Sequence, residues 1–241
     1  NRPWQPGPFK PATVLYNGMI EPLLPYRVAG TIWYQGEGNA DQPETYRSMF
    51  GALIETWREK FEHPEMPFYW AQLASWDNGD GDSTDWGFLR EAQHQTRELP
   101  YTGQAILMDI GEADDIHPRN KQDVGNRLAR IALAEHYGED VAFRGPVRTS
   151  VTFKGDVTIV NFDHATGLTT RDGEPPRGFE IAGADHQFVP VDSATIDGET
   201  IVLTTSIKNP RYVRYAWRRW VDANLQNAET LPAEPFRTDR N

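Results

Sequence analysis

The 241-residue chain has no cysteine. Thiolate zinc sites, disulfide frameworks and thiol nucleophiles are therefore excluded. Long apolar runs are missing too. None approaches the ~20 residues that span a bilayer, so no part of the chain reads as a membrane segment. Positive charge is scarce: 35 acidic residues stand against 24 basic ones, for a net charge of -11. Such a surface repels phosphate backbones and sets nucleic acid aside as a partner. The first residue is Asn1, and no charged-then-apolar leader follows it, so the chain reads as processed or truncated at its start.

Aromatic residues are plentiful, with 8 Trp, 9 Tyr and 11 Phe. They fill cores, and their faces also stack on sugar rings. Residues 1–28 hold Pro3, Pro6, Pro8 and Pro11 and read as an irregular lead-in, because proline lacks an N–H and fixes φ. A short helix is expected from Tyr16 to Leu24, stopped by Pro25. Val28 to Tyr34 is a nearly continuous apolar run, the pattern of a strand buried on both faces. Asp41 as N-cap and Pro43 in the first turn predict the start of a helix. Its apolar stripe is Tyr46, Met49, Phe50, Leu53, Ile54, Trp57 and Phe61.

The alternation continues with a strand over Phe68–Ala74, a helix over Trp86–Glu98, a strand over Gln104–Ile110 and a helix over Asp123–Tyr137. Strand alternating with helix implies a parallel sheet covered by helices. Beyond Gly138 no helical pattern recurs. Val147–Phe153, Val157–Phe162, Gly178–Ile181, Phe188–Val191 and Thr200–Thr205 read as short strands, with hairpin turns at Lys154-Gly155-Asp156 and Asp197-Gly198. The fold class is therefore α/β with flanking helices over residues 1–142, followed by a small all-β sandwich over residues 143–241.

Two segments carry chemistry. The stretch from Trp33 to Ala40 contains Gln35, Gly36, Glu37, Gly38 and Asn39. It lies between a buried strand and a helix N-terminus, at the sheet edge where open α/β folds bind ligands. Its glycines permit close backbone approach, and an amide side chain there can donate to a developing oxyanion. The stretch Asp114-Asp115-Ile116-His117-Pro118 likewise follows a strand and precedes a helix. A carboxylate three residues before His117, Asp114 on the same tight turn, can reach its Nδ1 and leave Nε2 facing the cleft as a base. Both segments fall on one edge of one sheet. His63, His94, His136, His164 and His186 lack such a setting. No serine follows a strand in a nucleophile setting, and Ser75 alone has roughly suitable placement. The acidic loop from Trp76 to Asp85 sits awkwardly beside an anionic substrate, and Arg90 is the residue expected to offset it.

The runs Leu15-Tyr-Asn-Gly-Met-Ile20, Gly30-Thr-Ile-Trp-Tyr-Gln-Gly-Glu-Gly-Asn39, Phe88-Leu-Arg-Glu-Ala-Gln93 and Asp115-Ile-His-Pro-Arg-Asn-Lys-Gln-Asp-Val-Gly125 resemble the sialate O-acetylesterases of the SGNH/GDSL hydrolase superfamily. Gly178–Asp185, Val213–Trp217 and Leu231–Asp239 resemble the family's tail, so the resemblance covers essentially the whole chain. It implies an incomplete SGNH-type sheet acting on acetyl esters of sugars, with no cofactor and no metal. His117 then takes the family's catalytic histidine position, with Asp114 as its partner and the adjacent Asp115 as the alternative. Asn39, with Gln35 as a close competitor, takes the oxyanion contact. The family's Ser and Gly blocks lie upstream of Leu15 and are absent here. The resemblance thus implies a Ser-His-Asp mechanism whose serine lies outside this chain, with the missing N-terminal segment as partner and a secreted or periplasmic setting. An acetylxylan-esterase-like activity and a non-catalytic carbohydrate-binding protein are the rival readings.

Overall fold

The computed structural model describes residues 13–77 and 79–239; Pro3, Pro6, Pro8 and Pro11 of the expected lead-in lie outside them. Three strands, β1 (Thr31–Trp33), β2 (Phe68–Ala71) and β3 (Thr102–Ala105), form a parallel sheet in the order β1-β2-β3. Three helices accompany it: α1 (Pro43–Lys60), α2 (Asp85–Gln95) and α3 (Lys121–Glu135). The short helix expected near Tyr16 is a π turn over Tyr16–Ile20 continued by a 3-10 turn over Glu21–Leu23. The residue preceding α1 is Gln42 rather than the expected Asp41, with Pro43 in the first turn as its missing N–H allows.

The two faces of the sheet are covered unequally. Trp33, Phe68 and Trp70 pack against Tyr46, Phe50 and Ile54 of α1 and Leu89 of α2. Val124, Leu128 and Ile131 of α3 cover Tyr69, Ala71 and Ala105 on the other face. That cover reaches β2 and β3 but not β1. Successive strand side chains point to opposite faces, so Ile32, between Thr31 and Trp33, faces the uncovered side and is 70% exposed. The expectation of a strand buried on both faces over residues 28–34 is corrected accordingly. Among the described residues β1 is a three-residue edge strand with a partner on one side only.

Residues 147–237 form antiparallel sheets. One contains β4 (Val147–Lys154), β5 (Val157–Asp163), β9 (Ser193–Asp197) and β10 (Thr200–Thr204), in the order β4-β5-β10-β9. The second contains β7 (Phe179–Ala182), β8 (Val189–Pro190), β11 (Tyr212–Tyr215) and β13 (Phe236–Arg237), in the order β13-β11-β7-β8. The short pair β6 (Thr169–Thr170) and β12 (Leu225–Gln226) completes the set. Val160, Phe162, Ile201 and Leu203 from the first sheet meet Phe179, Val213, Tyr215 and Phe236 from the second in one core, as in a sandwich. Ile106 and Met108, just beyond β3, belong to that same core.

Polar groups tie the sandwich to α2. Glu234 is buried and takes Arg97 at 2.5 Å and His94 at 3.0 Å. Arg237 bonds Glu91 at 2.8 Å. Arg90, with no exposed surface, donates to the carbonyls of Leu73, Ala74, Arg218 and Arg219 at 2.8–3.2 Å. Replacing it leaves several buried acceptors without donors, each costing ~1–3 kcal/mol. The variant Arg90→Met is expected to lose about 3 kcal/mol or more of stability in urea unfolding; a midpoint within error of the parent would refute this role.

Burial alone would raise the Glu234 carboxyl, but hydrogen bonds and charge from His94 and Arg97 overcome it and hold the group at about 2, below its ordinary 4.5. A depressed carboxylate stabilises the folded state fully above its unfolded value and loses that contribution as pH falls through the folded value. Stability is therefore expected to decline between about pH 4.5 and pH 2, and Glu234→Gln to flatten that part of a melting-temperature profile.

Candidate active site

The turn after β1 is built by close packing. A side-chain carbon on Gly36 would stand 3.1–3.2 Å from Gln93, Leu73 and Leu89, so only glycine fits without displacing them. The Gln35 carbonyl accepts from the Tyr46 hydroxyl at 3.0 Å and from Gln93 Nε2 at 3.2 Å, which pins the turn to α1 and α2. A 3-10 turn follows over Glu37–Asn39, and Glu37 accepts from the Gly36 N–H at 3.1 Å. Gln35 Nε2 donates to Asn39 Oδ1 at 2.9 Å. That bond engages the Gln35 amide within the turn. It leaves the Asn39 Nδ2 without a hydrogen-bond partner among the described residues.

The segment between β3 and α3 is braced along its length. Buried Arg127 of α3 clamps Asp109 with two bonds of 2.6 Å and also donates to the Ile106 carbonyl. Gly111 lies so close to the Ser75 backbone that a side chain would overlap it at 2.0 Å. Glu112 accepts from the Arg119 N–H at 2.7 Å, and Asn120 caps α3 through the Asp123 N–H at 3.1 Å. None of these braces has a sequence motif of its own. Arg127 and Asp109 are legible in hindsight only as opposite charges on adjacent elements.

His117 stands at the apex with its side chain 86% exposed. Asp114 is the partner expected first, but it is the alternative, Asp115, that is in contact. Its Oδ1 accepts from the His117 N–H at 2.8 Å and lies 3.4 Å from Nδ1. The backbone bond from His117, with charge from His117 and Arg119, holds the Asp115 carboxyl below its usual range. Asp114 is exposed and makes no hydrogen bond or ion pair with His117.

His117, Ile116, Pro118 and Lys121 line a cleft of about 290 Å³ whose opposite wall is Tyr34 and Glu37. The two predicted segments thus share one opening. Of the first turn's candidates Glu37 lines the cleft, and Gln35, Gly36 and Asn39 are not among its lining residues. Burial, then the charge of Glu37, pushes the Tyr34 hydroxyl up to about 12, so the ring is neutral at physiological pH. Ser75 is buried and donates to the Met108 carbonyl at 3.1 Å, which removes it as a nucleophile in this cleft. The expectation that Arg90 offsets the acidic loop is corrected by its burial among carbonyls. Arg218 holds Asp82 at 2.8 Å and Arg219 bonds Asp85 instead, both reaching over from the sandwich. Among the described residues, no group of three or more His, Asp or Glu is placed to hold a metal ion, and no helix is long and apolar enough to cross a membrane.

A model of the carbohydrate esterase family described as sialic acid-specific acetylesterase matches residues 2–134, more than half of the chain. The chain belongs to that family. The sialate O-acetylesterase of Rattus norvegicus is 34% identical over 94% of this chain, and that of Homo sapiens 32% over 95%. The crystal structure of a carbohydrate acetylesterase from Xanthomonas citri superposes with a TM-score of 0.88 at 44% identity, covering 94% of this chain and 54% of that one. The chain spans about half the length of these curated relatives, 47% of the rat enzyme and 49% of the human one.

The Gly36 packing gives a direct test of the turn. Gly36→Ala forces Gln93 or the two leucines to move, an overpacking cost of ~1–3 kcal/mol. A lowered melting temperature is expected, and an unchanged one would show that the turn yields freely.

Proposed function

We propose that this chain carries the histidine half of a serine acetylesterase site that acts on O-acetylated sugars, and that the nucleophilic serine comes from a segment outside it. The observation that carries the reading is the shared cleft, with the His117 turn on one wall and the turn after β1 on the other. Membership of the acetylesterase family supports the same chemistry. So does the edge of β1, unpaired among the described residues with Ile32 exposed beside it, because an unpaired edge strand is a template for a further strand.

In the complete site the serine oxygen attacks the acetyl carbonyl carbon while Nε2 of His117 takes its proton. The tetrahedral oxyanion is met by Asn39 Nδ2 and backbone N–H groups. Its collapse breaks the bond to the sugar oxygen, which receives the proton back from His117. Water then repeats the sequence on the acetyl-serine and releases acetate. Asp115 holds the imidazole through Nδ1, which lies 3.4 Å from its carboxylate, and Asp114 is the alternative partner once the serine segment is seated.

In the full-length protein, His117→Ala is expected to lower kcat on an acetyl ester by ~10³-fold or more. Near-parental turnover would end the assignment. Comparing Asp115→Asn with Asp114→Asn in the same assay separates the two carboxylates: the partner's removal should cost the larger share of kcat. The 241-residue chain alone is expected to show no acyl-enzyme burst on a chromogenic acetate.

A further inference from the structure

Lys121 opens α3 and lines the cleft beside His117. Its ammonium sits 5.0 Å from the centroid of the Tyr34 ring, across the cleft from its own helix. The ring is neutral, so this contact orients the cation without neutralising it. No carboxylate pairs with Lys121 among the described residues. The next cation along, Arg119, is by contrast engaged by Glu112 at 3.6 Å and Asp115 at 4.0 Å. Arg218 and Arg219 are committed to Asp82, Glu180 and Asp85. Among the described residues that line the cleft, Lys121 is thus the only permanent cation, and it shares the cleft with Glu37 in a chain of net charge -11.

An acidic surface repels an anionic sugar unless one positive group is left unpaired where the sugar docks. We propose that Lys121 is that group: a specificity residue whose ammonium binds the carboxylate of an acidic sugar while His117 works on its acetyl ester. The proposal rests on the esterase reading for its catalytic half and adds the residue that would select O-acetylated sugar acids, the kind named in the family's description, over neutral acetylated sugars. A flexible ammonium of this kind is a point charge that reaches a carboxylate without demanding a fixed fork geometry.

The full-length enzyme and its Lys121→Met and Lys121→Arg variants are assayed on an O-acetylated sialic acid and on an O-acetylated neutral methyl glycoside. Lys121→Met should lower the ratio of kcat/KM for the acidic over the neutral ester by about tenfold or more, chiefly through KM. Lys121→Arg should restore most of that ratio. Raising salt from about 0.05 to about 0.5 M should shrink the parental preference, since an exposed pair is screened. Equal losses on both esters, or an unchanged ratio, would overturn the proposal. A second arm reads binding without turnover. Free N-acetylneuraminate titrated into the 241-residue chain should shift the NMR resonances of Lys121 and Tyr34, and Lys121→Met should abolish the shift. Parental full-length enzyme that hydrolyses neither ester would sink the esterase reading, whereas a titration without shifts at Lys121 would sink this one.

Discussion

A guanidinium sealed from solvent must find acceptors for its donors, and Arg90 finds four backbone carbonyls and no carboxylate. Two belong to Leu73 and Ala74, where the chain leaves β2, and two to Arg218 and Arg219 in the sandwich. The exit of the central strand and the far module are therefore held at one point. Much else follows from that point. The Arg219 side chain bonds Asp85 and its N–H bonds the Ser83 carbonyl, so the acidic loop is fixed from the sandwich side. Trp76 donates to the Arg219 carbonyl and Asp77 to the Ala113 carbonyl, which extends the linkage to the edge of the histidine turn.

The site shows the same economy of position. One wall is set by a glycine pressed into the gap between Leu73, Leu89 and Gln93, the other by Arg127 gripping Asp109 from α3. Neither wall depends on an irregular loop finding its own shape. The exposed His117 sits on a segment that Arg127, through Asp109, and Asn120, through Asp123, tie to α3, the arrangement that lets a reactive side chain stay accessible without wandering.

Legibility in the sequence tracked periodicity. The stripe from Tyr46 to Phe61 and the alternation of apolar strand with helix announced α1 and the parallel sheet, because burial imposes a period there. The turn after β1 and the histidine turn were legible from position: polar residues between strand and helix at one sheet edge. What failed was whatever depended on a distant partner. Val28–Tyr34 looks doubly buried because its residues are apolar, yet α3 stops short of Ile32. Arg90 looks like a surface cation, yet the carbonyls that take it lie up to 129 residues away. Asp115 rather than Asp114 touches His117 because of one backbone bond that spacing alone does not reveal, and a lysine at a helix start, as Lys121 is, looks ordinary without the tyrosine ring beside it.

Ile106 and Met108 lie just past β3, yet their side chains join the core of the sandwich. The polypeptide thus crosses from one core to the other and returns before it reaches His117. The junction between the α/β part and the sandwich is a shared interior rather than a tether, so the sandwich cannot be exchanged for another module as a bead on a string might be. Any lineage that replaced it would also have had to repack the path leading to its own histidine.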